Sequence, residues 1–243
     1  MAEDDAARSV IWMRPTRGMR GPAPSQDRDA ITRIAVEIAD REGIEAVSMR
    51  RIATTIGSGA SSLYRYFARK DDLLNLMVDH ALGGESFSPS GDWRADFRAM
   101  GWATRATFLR HRWMVAVLAG RPTLGPNRLG RLEAALGILE NSGLSARESL
   151  TFIDTLISYV RGFVASEVAD DMAIAASGLS AEEWRADQAG YITSIIASGA
   201  YPRVTSLFEE MRGSTGQSVQ DEGFAAGLDI ILDGMAARLD KAV

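Results

Sequence analysis

The stretch Ser48–Lys70, SMRRIATTIGSGASSLYRYFARK, decides how this chain is read. It holds Arg50, Arg51, Arg65, Arg69 and Lys70 and no acidic residue, while the 243-residue chain as a whole carries a formal net charge of -5. A cationic island on an acidic background marks a face for a polyanion, because a charged partner responds to the local potential. Ser48 suits an N-cap. Met49, Ile52, Ala53 and Ile56 follow at i, i+3, i+4 and i+7, the apolar stripe of a short helix. Gly57-Ser58-Gly59 breaks that helix. A second short helix follows, in which Leu63, Tyr64 and Phe67 are spaced to pack while Ser61, Ser62, Arg65 and Tyr66 point elsewhere. Two short helices across a glycine turn make a helix-turn-helix, whose second helix enters the DNA major groove. On charge and spacing alone, an ordinary helical hairpin with a solvated basic face stands equally open.

The flanks extend the pattern. Ser25 to Glu42 reads as a helix striped by Ile31, Ile34, Ala35, Ile38 and Ala39, with Asp27 and Asp29 at its positive end and Gly43 as its stop. Lys70 to Gly83 reads as a helix whose buried side is Leu73, Leu74, Met77, Val78, Ala81 and Leu82. It leads from the cationic surface into the rest of the protein, and the Gly- and Ser-rich run ending at Gly91 marks a domain boundary. Residues 1–24 contain Pro15, Pro22, Pro24, Gly18 and Gly21, with Arg14, Arg17 and Arg20 between them. They read as a flexible basic arm: first a disordered tail, with a minor-groove arm as the alternative.

From Ile31 to Leu82 the sequence resembles, without a gap, the DNA-binding domain of the tetracycline-repressor (TetR) family. The most specific piece is Leu63-Tyr64-Arg65-Tyr66-Phe67, then Lys70 and Leu73-Leu74. The resemblance implies that Arg50 reaches a guanine edge. It puts Ala60, Ser61 and Ser62 at the entering end of the reading helix. Ser48, Tyr64, Tyr66 and Lys70 are expected on phosphates, which position rather than specify. Arg51, Arg65 and Arg69 complete the cationic set. Two residues depart from the family pattern. Ser58 stands where an apolar residue is usual. Arg69 replaces a short capping residue, which leaves the next helix without its usual cap and is expected to add a phosphate contact.

The region beyond residue 84 reads as helices throughout. Trp93–His111, Trp113–Ala119, Asn127–Asn141, a long helix opened by a Ser145/Glu148 capping box, Ala181–Ser198, Tyr201–Met211 and a final helix are expected, with 170–180 as a loop. The expected fold is all-α: an N-terminal three-helix helix-turn-helix DNA-binding domain (25–83) and a larger helical ligand-binding and dimerisation domain (84–243). The Ser145 helix and the C-terminal helix are apolar around more than one face, which calls for burial in one large core or for a homodimer across a two-fold axis. The two-fold symmetry of operators points to the dimer. His111-Arg112-Trp113, Arg121 to Pro126 and Phe224 to Leu228 resemble the C-terminal domain of tetracycline-type repressors. There a histidine just before the Arg-Pro turn binds a drug's magnesium. Val117 or Leu118 takes that place here and cannot ligate a metal. Met100, Thr104, Phe108, Trp113, Met114, Val117, Phe152, Tyr159, Phe163 and Trp184, with Trp102, supply the lining of an apolar effector pocket with sparse polar tips, or fill a core.

Composition narrows the chemistry. There is no Cys, so disulfides, thiol catalysis and thiolate metal sites are excluded. The only two histidines, His80 and His111, have no metal-ligand spacing. Gly57 to Ser62 follows a helix rather than a strand and lacks the phosphate-loop lysine. No acid–base set or nucleophile is evident, so no enzyme and no cofactor is expected. No run of about 18 apolar residues would span a membrane. A cytoplasmic regulator with operator DNA, a second copy of itself and a small-molecule effector as partners is the expectation.

Overall fold

Each apolar stripe becomes a helix, and short polar side chains cap several of them. The computed structural model describes residues 10–14, 27–64, 66–84, 88–119, 124–211 and 217–240. Helix α1 (Arg28–Glu42) begins where the Asp27 carboxylate accepts the Ala30 N–H at 2.6 Å, and it ends at Gly43. A 3-10 turn (Ile44–Ala46) leads to α2 (Met49–Thr55), capped by Ser48, whose Oγ accepts the Arg51 N–H at 3.1 Å. Gly57 then turns the chain with φ 66, a left-handed conformation that glycine adopts without steric cost. The single-turn α3 (Ala60–Leu63) follows, and then α4 (Lys70–Leu82). Ile31, Ile38, Ile52, Leu63, Phe67, Leu73 and Met77 are almost wholly buried and join these four helices into one head.

The second region comprises α5 (Trp93–Arg110), α6 (Trp113–Leu118), α7 (Pro126–Ile138), α8 (Ala146–Ser177), α9 (Ala181–Ser198), α10 (Pro202–Glu210) and α11 (Gln217–Leu239). The fold is all-α, and no strand occurs among the described residues. Helices α5, α8 and α11 pack on one another, and α7 bridges α4, α5 and α8. Phe97, Leu156, Val160, Val164, Phe224, Leu228 and Leu232 fill their common core. The expected Ser145 capping box is present: Glu148 N–H donates to Ser145 Oγ at 3.3 Å, and Ser145 N–H to Glu148 Oε2 at 2.9 Å.

Three expectations are corrected. The 170–180 loop is helix as far as Ser177, because no Pro or Gly lies between Asp170 and Gly178, which ends it at φ 71. Helix α1 starts at Arg28, not Ser25. Within the basic arm, Val10–Arg14 is docked rather than loose. Ile11 lies 1% exposed in the head's core. Arg28 Nη1 donates to the Ile11 and Arg14 carbonyls at 3.4 Å, and Arg14 Nη1 reaches Asp72 Oδ2 at 2.7 Å. Residues 1–9 and 15–26, which include Arg17 and Arg20, lie outside the described residues, as do residues 120–123 of the expected Arg-Pro turn.

Candidate DNA-binding face and effector domain

The helix-turn-helix separates its side chains cleanly. Ile52, Ala53, Leu63 and Phe67 point inward, while Ser48, Arg50, Ser61, Tyr64, Arg69 and Lys70 are exposed. Tyr64, expected both to pack and to touch phosphate, is 58% exposed and does not pack. Ala60 and Ser62 are half-buried at the start of α3. Ser48 spends a lone pair on the α2 cap, so its hydroxyl hydrogen stays available to a phosphate oxygen. Arg51 is exposed but reaches back to Glu42 at 2.6 Å, a pair that holds both groups charged. Arg65 lies outside the described residues.

Tyr66, expected to point outward to a phosphate, is instead buried: it is 6% exposed and its ring packs beside Phe67, with centroids 6.2 Å apart. The helical phase used to place it outward fails because α3 stops at Leu63. The Tyr66 and Phe67 N–H groups then both turn onto the Leu63 carbonyl, at 2.9 and 3.2 Å. The missing cap of α4 is partly replaced. Arg69 has no acceptor to offer, but its own N–H donates to Asp72 Oδ2 at 3.1 Å, one half of a reciprocal box.

The head meets the second region at two carboxylates that local pattern did not single out. Asp40 of α1 accepts Trp113 Nε1–H at 2.7 Å and lies 2.8 Å from His111 Nδ1. Asp79 of α4, 4% exposed, accepts the Asn127 and Arg128 N–H groups at 3.3 and 3.0 Å, so it caps the positive end of α7. Burial raises the Asp79 pKa, and those N–H groups oppose the shift. Gly125 is what allows the approach: a Cβ there would sit 2.1 Å from Asp79 Oδ1.

The expected pocket residues do not all come together. Met100, Thr104 and Phe108 share one face of α5 and are buried, as are Met114 and Val117 of α6. Tyr159 and Phe163 of α8 gather with Trp102 around Phe224, at centroid separations of 5.6, 5.3 and 4.8 Å. Tyr159 donates its hydroxyl to the Phe224 carbonyl at 2.8 Å, and burial raises its pKa. Phe152 is half-buried against the core. Trp113 and Trp184 stand apart: the first turns its indole N–H to Asp40, and the second sits on α9, which has no buried residue. Arg105 was missed. Its Nε and Nη1 donate to Glu167 and Asp221 at 3.0 and 2.7 Å, its carbon lies 5.0 Å from the Phe224 ring centre, and its bond to Glu167 raises its pKa. Among the described residues no cluster of ligating side chains could hold a metal, and no helix is long and apolar enough to cross a membrane.

Residues 31–77 match the family described as bacterial regulatory proteins, tetR family, and residues 85–239 match the tetracyclin repressor-like C-terminal domain. The chain belongs to the TetR family. It is a helix-turn-helix transcriptional repressor of that family. It is 38% identical to the HTH-type transcriptional repressor DrrR1 of Streptomyces coeruleorubidus over 95% of this chain and 86% of that protein. It is 26% identical to the class C tetracycline repressor protein of Escherichia coli, over 86% and 90%. Among solved structures, apo ActR of Streptomyces coelicolor superposes with a TM-score of 0.74 at 28% identity, covering 92% of this chain and all of that one. ActR in complex with (S)-DNPA gives 0.71 at 29%, covering 89% of this chain and all of that one.

Proposed function

We propose that this TetR-family protein is a homodimeric repressor that leaves its operator when a small, largely apolar ligand binds the C-terminal region. The observation that carries the DNA reading is the division of the helix-turn-helix into a buried apolar side and an exposed side bearing Ser48, Arg50, Ser61, Tyr64, Arg69 and Lys70. Arg50 reads a guanine edge, Ser61 and Ser62 read base edges, and Ala60 can meet a thymine methyl. Ser48, Tyr64, Arg69 and Lys70 hold phosphates and fix the register.

The ligand reading rests on the aromatic group at Tyr159, Phe163 and Phe224 and on the ligand-bound complexes of ActR. The dimer reading rests on α11, whose outer side shows Ala226, Ile230, Gly234 and Ala237, with Ile230 73% exposed. Asp229 and Asp233 flank that stripe and pair with Arg98 and Arg94 of α5. Ligand shifts the operator equilibrium only by its differential affinity for the DNA-binding and released states.

Selecting bound duplexes from random DNA, then adding apolar aromatic compounds one at a time, tests the whole reading. A two-fold symmetric sequence that one compound releases is the expected result. Operator binding unaffected by every compound that raises the melting temperature would leave a ligand-independent regulator instead.

A further inference from the structure

We infer that Ser58 is a specificity-determining residue: with Ser62 it forms an acceptor-only hydroxyl pair that selects a base with a major-groove amino group, adenine or cytosine. The inference rests on the DNA reading above.

The hydrogen positions follow from counting. Ser62 Oγ lies 2.6 Å from the Gly59 carbonyl oxygen, which can only accept, so the single Ser62 hydroxyl hydrogen goes there. Ser58 Oγ lies 2.7 Å from Ser62 Oγ. With the Ser62 hydrogen already committed, Ser58 is the donor of that bond. Neither hydroxyl then has a hydrogen left. Ser62 keeps one lone pair and Ser58 keeps two, so the pair offers acceptors alone.

Position favours this pair meeting a base. Ser58 is exposed and Ser62 half-buried, and both lie at the entering end of α3, where helix-turn-helix proteins contact base edges. Gly59 lies between them in sequence and adds no side chain that could cover them. The Ser58 N–H is tied to the Ala53 carbonyl at 2.8 Å, which anchors its backbone to α2. In the major groove guanine shows N7 and O6, and thymine shows O4, all acceptors. Adenine N6 and cytosine N4 are the donors. With an apolar residue at 58, Ser62 would keep its bond to the Gly59 carbonyl, but the two exposed Ser58 lone pairs would be gone.

Operator selection from random DNA with the wild type, Ser58→Ala, Ser58→Thr and Ser62→Ala tests the inference, with the melting temperature of each variant measured alongside. One position in each half-site is expected to be restricted to adenine or cytosine on the strand read. Ser58→Ala should relax that position alone, by about 5-fold or more. Ser58→Thr keeps the hydroxyl and should restore the restriction. An unchanged profile for Ser58→Ala overturns the inference, as does guanine or thymine at the position it relaxes. A wild-type protein that selects no sequence at all instead defeats the DNA reading on which the inference stands.

Discussion

Helix α4 carries two buried aspartates two turns apart, and they hold the helix in different ways. Asp72, 3% exposed, sits at the DNA end and is met by the Arg14 guanidinium and the Arg69 N–H. Asp79, 4% exposed, sits at the other end and is met by two N–H groups at the start of α7. Asp72 thus gathers a short segment far upstream in sequence, while Asp79 couples one rigid helix to another. The first joint stabilises the head. The second ties the head to the C-terminal region.

Breaking the second joint should have the largest effect. Asp79→Ala leaves the α7 N–H groups without an acceptor and should cost about 1–3 kcal/mol in thermal or denaturant unfolding. Gly125→Ala should do similar damage without removing a charge, because its Cβ would occupy the carboxylate's space. Either variant should also weaken the response of operator binding to effector, measured as the ratio of affinities with and without ligand. On the head itself, Arg50→Ala should cost about 1–3 kcal/mol of operator affinity and relax one position in each half-site, read by competition with mutated operators. Lys70→Ala should weaken all sequences alike and flatten the salt slope by about one. Arg14→Ala should cost about 1 kcal/mol of stability, since the Arg69 N–H still serves Asp72, and should leave the effector response intact.

The smallest effect sharpens the contrast through pH. Burial raises the Asp79 pKa above its ordinary 3.8, so the folded protein keeps that proton to higher pH than the unfolded chain does. Stability from this group is therefore lost as pH rises from about 3.8 through the folded value. Asp79→Asn cannot titrate there. The stability of the wild type relative to Asp79→Asn, followed by melting from acid to neutral pH, should fall as pH rises.

What was legible in the sequence was local. Ser48 and Gly57 act within a few residues of themselves, and Ile52, Leu63 and Phe67 fall at helical spacing, so local pattern placed them. Tyr66 failed because helical phase holds only while the helix lasts, and α3 lasts one turn. Residues 170–177 failed because charged Asp170 and Asp171 resemble a loop until the absence of any breaker is weighed. Asp79, Asp40 and Arg105 were invisible for another reason: their partners lie 48 to 116 residues away, and no periodicity links them. Trp113 looked like pocket lining for the same reason, since nothing in its own helix points to Asp40.

Equilibrating the purified full-length protein with a random duplex library at two salt concentrations tests the central claim most directly. The protein should enrich a two-fold symmetric site whose half-sites lie about one helical turn, or a multiple of it, apart, with affinity falling steeply as salt rises. A library that emerges unenriched at low salt would contradict it.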